Sequence, residues 1–425
     1  MKKIIFLTLT LLFSSSLFAQ NAKFEAKDRE INQLKTNQEK FKNFKNKTEV
    51  KIYDNHFKNI ESRIIKGYTK DYFILDKSYS DFIEQVFQSF IKKNPQYQLG
   101  NPKTYIVDHN IPNASSAGFD YYFINSGIIR YLDNEYQLAA VIGHEIAHNY
   151  LNHSRESIIQ EAEFVQDFKK EFRSLKRSEM IKLIKSQDEV IQKKYDLASQ
   201  SRKKEITADS LGFVFYKNLG YPEAEYSNLL NKLQDLDKDE YYTIKDETYY
   251  ELFEVNDLKI KPKWLKLEKN ELFAGLNFTE HIDKDSISSH PNTNDRKEWL
   301  INQFKLSSEK TEAKEPSETY KTLKLKAVDN YYNTLFVNDY YGFALYHIIN
   351  AKQNKSERND LDNNLGLIFN KLHEARTRHE FNKYIQIADA NDKDEDYNRF
   401  LNFVWNIPTP DLKTLAEYYT KKAAQ

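Results

Sequence analysis

The 425-residue sequence contains no cysteine. That absence removes disulfide frameworks, Cys nucleophiles, CxxC redox sites, thiolate zinc clusters and lipidation of an N-terminal Cys. Any metal must therefore be held by His and carboxylates. Glycine (10) and proline (9) are scarce while 30% of residues are charged, a composition that favours long, solvated helices. There is no charge excess either: 63 Lys+Arg stand against 63 Asp+Glu, so the basic footprint of a nucleic-acid-binding domain is missing. Beyond the first twenty residues no run of about 18 apolar residues occurs, which excludes a membrane span there.

What is present begins with Met1-Lys2-Lys3, an apolar stretch from Ile4 to Leu12, and Ser14-Ser15-Ser16-Leu17-Phe18-Ala19 before Gln20. A basic start, a short apolar core and a small residue at the boundary read as a secretory signal peptide cleaved after Ala19. The chain is thus expected to work in the periplasm or outside the cell. Hydrophobic residues make up 40% of the sequence, with 29 Tyr and 28 Phe, ample material for two or three domains. The expected division is a signal peptide over 1–19, a helical extension over 20–78, a catalytic domain over 79–300 and a helical region over 301–425 that could be repeat-like.

Along the chain, Phe82, Ile83, Val86, Phe87, Phe90 and Ile91 recur three and four apart, which predicts a helix over Ser80–Lys93 with Ser80 as N-cap and Asn94-Pro95 as its stop. Lys103–Val107 and Tyr121–Ile124 read as short strands separated by a loop. Asp133 or Asn134 caps the next helix, which runs to about His153. Ser154–Arg202 reads as two charged amphipathic helices, and a further helix holds Glu205–Asn218 and ends at Leu219-Gly220-Tyr221-Pro222. Residues 223 to about 285 read as a polar, aromatic connection, and helical spacing returns from about 316 to 420.

The chemistry concentrates in His144-Glu145-Ile146-Ala147-His148. On a helix His148 lies about 40° around the axis from His144, so both imidazoles can reach one ion while Glu145 projects beside them. A carboxylate so placed can take a proton from water that zinc has acidified. A catalytic zinc needs a third protein ligand. The metzincin spacing would require Gly and His where the chain has Leu151 and Ser154, and His153 lies about 180° from His144 on an ideal helix. Glu205 is the better candidate for the third ligand. Asp209, one turn on, is placed to accept the free ring N–H of a ligating His; the plain alternative is a surface Glu and an ordinary helix Asp. His56, His109, His281, His347, His373 and His379 lack ligand spacing and read as ordinary polar residues.

Taken together, Ala139–His148 followed by Glu205-Ile206-Thr207-Ala208-Asp209 resembles the HtpX, BepA and CAAX prenyl endopeptidase family of zinc metallopeptidases. Asn113-Ala114 and Gly127-Ile128-Ile129 look like that family's Asn-Ala strand and the entry to its zinc helix, and His153 matches a His often found there. Ser289-His290-Pro291 with Arg296 looks like its His-Pro-x-x-x-x-Arg motif. The resemblance covers about residues 79 to 300. It implies a mainly α (α+β) gluzincin-type domain with a small sheet. One Zn²⁺ per chain would be held by His144, His148 and Glu205, with Glu145 as general base and Asp209 supporting the first His. Where the family commonly has Pro-Gly-Gly after a larger apolar residue, this chain has Ser115-Ser116-Ala117-Gly118-Phe119-Asp120, which touches the strand expected to pair with substrate. His290 admits three readings: stabiliser of the oxyanion, switchable fourth ligand, or loop cap. Arg296 is read as bracing that loop through a carboxylate.

These readings lead to an exported zinc metalloendopeptidase acting on polypeptide, in envelope protein quality control, with the C-terminal helices available to an envelope partner and no role for nucleic acid. The alternative is a periplasmic chaperone-like scaffold whose zinc site is latent or regulatory.

Overall fold

The computed structural model describes residues 23–173, 187–236, 242–266, 293–307, 311–387 and 395–425. The signal peptide and the Ser289-His290-Pro291 loop lie outside the described residues, as does His281. The chain divides into two compact units, one of residues 1–235 with 282–327 and one of residues 236–281 with 328–425.

In the first unit, residues 23–41 form helix α1, followed by α2 (Lys47–Thr69) and α3 (Lys77–Lys93). Asn46 caps α2 by accepting from the Thr48 and Glu49 N–H groups. The cap of α3 is Asp76, which accepts from Ser78 N and meets Lys326 Nζ at 2.6 Å. The expected cap, Ser80, instead lies inside the helix, because the apolar stripe extends a turn earlier through buried Tyr79.

Three strands follow: β1 (Lys103–Val107), β2 (Ala114–Gly118) and β3 (Tyr121–Asn125), in the order β1-β3-β2. β1 runs parallel to β3 and β2 antiparallel to it. Residue pattern alone reads β2 as loop, since Ser-Ser-Ala-Gly has weak strand propensity, while the family resemblance reads it as a strand; it is a strand, placed by pairing with β3. Alternation along β3 serves both faces of the sheet. Tyr122 and Ile124 join a core with Phe87, Phe90, Ile129 and Ile142, while Tyr121 and Phe123 join a second with Tyr53, Phe57 and Ile64 of α2. Residues 72–74 cover the outer side of β1, with Ile74 N donating to Ile106 O at 2.9 Å and Asp108 N to Tyr72 O at 2.8 Å. The outer side of β2 is turned to the next helices instead.

After the short α4 (Ser126–Tyr131), Asn134 caps α5 (Glu135–Tyr150), its side chain accepting from Gln137 N at 3.0 Å. α5 stops before His153, earlier than the spacing predicted, because Asn152 turns to φ 58° and α6 (His153–Arg173) starts in a new direction. Helix α7 (Gln187–Asn218) is a single element of 32 residues; nothing between Arg202 and Glu205 interrupts helical hydrogen bonding, so the expected separate helix over 205–218 is its C-terminal half. Gly220, at φ 76°, ends it as predicted. α8 (Glu223–Leu236) then returns, and Leu300, Leu306, Tyr320 and Leu323 from the later segments complete the core around α5.

Residues 244–265 are not a plain connection. Asp246–Phe253 is helical, and Tyr249, Phe253 and Trp264 share one core with Ile348, Leu365, Phe369, Phe403 and Tyr419 of the second unit. The Phe253 and Phe403 rings stand 4.7 Å apart edge to face, and Tyr419 donates to Leu252 O at 2.7 Å. Among the described residues no helix is long and apolar enough to cross a membrane.

Two glycines allow α5 and α7 to cross closely. A Cβ on Gly212 would lie 2.9 Å from His144 Cα and 3.0 Å from its N, both backbone atoms that cannot swing aside. Gly212→Ala must therefore push the helices apart, with an overpacking cost of about 1–3 kcal/mol. Calorimetry should show a lowered Tm and chelator competition a weakened metal affinity, whereas Ser210→Ala, on the same helix, should leave both near wild type. An unchanged affinity in Gly212→Ala would show that the crossing does not set the site.

Candidate metal centre

The crossing of α5 and α7 brings His144, His148 and Glu205 together, with one ligand atom from each lying within 4.8 Å of the others. His144 Nε2 and His148 Nε2 are 2.9 Å apart, and Glu205 approaches them at 3.4 Å and 3.3 Å. Tetrahedral zinc with N and O ligands at about 2.1 Å requires ligand atoms separated by about 3.4 Å. The cluster therefore has the size and donor set of a single catalytic-type zinc ion, with no thiolate in it. Its floor is dry: Glu205 and Asp209 are buried and His144 nearly so.

Behind the cluster, His144 Nδ1 lies 2.8 Å from Asp209 Oδ1. That contact favours the tautomer with Nδ1 protonated and leaves the Nε2 lone pair for an ion. Asp209 is gripped in turn by Arg296, whose Nε and Nη2 each donate to a carboxylate oxygen at 2.7 Å. Burial alone would raise the Asp209 pKa, but Arg296 and His144 hold it below the ordinary carboxylate range. Arg296 Nη1 also comes within 3.3 Å of Glu205 Oε2. The guanidinium compensates both buried carboxylates, the arrangement that a buried charge cluster requires. The sequence had suggested that Arg296 braces a loop through a carboxylate; the carboxylate belongs to Asp209 on α7.

The second histidine has its own support. His153, brought back by the turn at Asn152, places Nδ1 2.9 Å from His148 Nδ1, and its Nε2 lies 3.3 Å from Thr207 Oγ1. Burial, together with His148 and Lys204 nearby, depresses His153 to about 4, so it is neutral at pH 7 and can accept the His148 N–H. The angular argument that kept His153 out of the cluster assumed an unbroken helix. The helix breaks, yet His153 meets the ligand's far side rather than the ion position. A left-handed Asn before a second helical start was the available signal.

Glu145 turns toward β2. Its Oε2 accepts the Ser116 backbone N–H at 2.6 Å, tying the helix to the outer side of the strand. Sequence reasoning could not see this bond, since it joins residues of different elements. His290 lies outside the described residues, so its three readings stand where the sequence left them.

Residues 80–302 match the model of peptidase family M48, more than half of the chain. The chain belongs to peptidase family M48. No curated protein matches it. Membership places this M48 chain among zinc-dependent metallopeptidases, and the His144, His148, Glu205 cluster that could hold a metal lies within the matched residues. The helices before residue 80, and the second unit's residues beyond 302, lie outside the match.

Two outcomes follow for the M48 site. Asp209→Asn removes the carboxylate that orients His144 and should weaken zinc binding about 10–100-fold in chelator competition, with far-UV circular dichroism unchanged; unchanged affinity would remove Asp209 from that role. Burial would depress His144, but the Asp209 and Glu205 carboxylates outweigh it and lift its pKa from 6.5 to about 10. A raised His pKa stabilises the chelated protein fully below about pH 6.5, and that contribution is lost as pH rises through about 10. Metal binding competes for the same proton, so apparent zinc affinity should climb about tenfold per pH unit through neutrality. A flat pH dependence between 6 and 9 would contradict this.

Proposed function

We propose that this chain is an exported zinc metalloendopeptidase of the soluble HtpX and BepA type, hydrolysing polypeptide with Glu145 as general base. The observation that carries the reading is the Glu145 carboxylate, held 2.6 Å from an edge-strand N–H and projecting from the same helix as the two clustered histidines. An extended peptide adding to the outer side of β2 would set its scissile bond beside that carboxylate.

Zinc, when bound by His144, His148 and Glu205, polarises the scissile carbonyl and acidifies the attacking water. The chain's own residues do the rest. Glu145 takes the proton from the attacking water and hands it to the departing amine nitrogen, a positioned acid–base transfer contributing about 10²–10⁴-fold. Asp209 and Arg296 keep His144 oriented, and His153 keeps His148 oriented, so the donor set does not reorganise during the reaction. The β2 backbone aligns the substrate chain, and Ser116 N–H steadies Glu145 until the substrate arrives.

Export rests on the basic start and apolar run of the first nineteen residues, and a role in envelope protein quality control would follow from that location. The balanced charge and the absence of a basic domain fit polypeptide as the partner.

Glu145→Gln keeps the shape of the site and removes its base. The purified variant should retain about one zinc per chain by elemental analysis while losing at least a hundredfold in casein or peptide cleavage, and chelation should abolish wild-type cleavage. Full activity in the zinc-loaded variant would remove this mechanism; wild type inactive on every unfolded substrate would favour a scaffold with a latent site.

A further inference from the structure

A cavity of about 390 Å³ opens beside the site, lined among others by Lys40, Phe41, Tyr97, Gly118, His148 and Arg155. It reaches from the last residue of β2 to the second histidine of the cluster. One wall comes from the N-terminal extension: Lys40 and Phe41 precede the segment that matches the family.

The extension is built onto the end of β2. His56 Nε2 donates to Ala117 O at 2.7 Å, although the sequence marked His56 as ordinary. Phe119, at φ 54°, is seated among Phe41, Tyr53 and Phe57 with ring centroids 5.3–5.6 Å away. Gly118, at φ 76°, lies so close to Ser154 that a Cβ would come within 2.5 Å of it. The strand end is therefore fixed, and the space beyond it is a shaped recess with aromatic sides.

Its charge is uneven. Lys40 Nζ stands over the Phe41 ring at 4.9 Å and the Arg155 guanidinium over Phe44 at 4.4 Å; neither forms an ion pair among the described residues. The one carboxylate in the lining, Asp120, is already engaged by Asn149 Nδ2 at 2.7 Å and Asn101 N at 3.5 Å. Two cations that form no ion pair among the described residues thus belong to the lining of a cavity whose single acid has other donors.

A peptide pairing antiparallel with β2 runs against it, so its residues before the scissile bond lie toward Gly118. We infer that the N-terminal helices complete an acidic-side-chain subsite, in which Lys40 and Arg155 receive a Glu or Asp that precedes the scissile bond by two or three residues. The inference rests on the metalloendopeptidase reading for what binds there, while the pocket's charge preference can be read without hydrolysis.

The experiment uses the zinc-loaded full chain and a fluorogenic peptide whose cleavage site has been mapped by mass spectrometry, made with Glu, Gln or Lys at each of those two positions. Wild type should cleave the best Glu peptide with kcat/KM about tenfold above its Lys counterpart. Lys40→Glu with Arg155→Glu should reverse the order, whereas Lys58→Glu, on an exposed part of α2, should not. The same peptides, labelled, are titrated by anisotropy into Glu145→Gln and into Glu145→Gln carrying the two charge reversals, and should rank in the same orders. Equal cleavage and equal binding of Glu and Lys peptides, or a preference that survives the double reversal, overturns the subsite. Absence of cleavage with charge-ranked binding that reverses would leave the subsite standing and remove the peptidase reading instead.

Discussion

A buried carboxylate is tolerated only beside compensating charge, and here that requirement organises the peptidase unit. Glu205 and Asp209 lie within the protein on α7, and both depend on Arg296 from a segment nearly ninety positions away. The histidines of α5 complete the set. For these groups to meet, the two helices must pass almost backbone to backbone, which Gly143 and Gly212 permit. The core around the crossing, from Phe90 and Ile142 to Ala208 and Phe213, supplies the apolar burial that offsets the desolvation of the polar cluster.

The sheet contributes through its other edge. Residues 72–74 close β1 and β3 is the central strand, so among the described residues β2 is the edge turned to the helix that carries Glu145, with Ser116 N–H bonded to that carboxylate and Ala117 O to His56. An edge strand is ordinarily a liability for aggregation, and here it is kept short and irregular, with a register shift between Ser116 and Gly118. The N-terminal helices hold its far end. The edge strand and the helix that carries the two clustered histidines are thereby joined through a hydrogen bond from Ser116 N–H to Glu145.

Much of this was legible in the residues because helical spacing is local. His144 and His148 share a face by virtue of the helical repeat, as do Glu205 and Asp209, and their chemistry names the kind of ion they suit. The end of α3 at Asn94 and of α7 at Gly220 followed from turn chemistry in the same way. What escaped were features that depend on a partner elsewhere in the chain. Ser115-Ser116-Ala117 escaped the residue pattern, though not the resemblance, because it has little strand character and becomes a strand only against β3. Residues 244–265 looked like a connection because their aromatics have no periodicity of their own, and only their shared core with residues 332–419 explains them. His56 had no ligand spacing, and its role at Ala117 O arises from packing.

The sequence by itself determined the donor set: without thiols, two imidazoles and two carboxylates at one-turn spacings leave a His/His/Glu cluster that could hold a metal. It could do so because ligand type and helical phase are properties of a few neighbouring residues. The tertiary structure decided which side chains hold those residues in place, from Arg296 on Asp209 to His153 on His148, and which strand edge faces Glu145. Those relations are set by the crossing of elements far apart in the chain, where close approach and buried charge, rather than local propensity, select the arrangement.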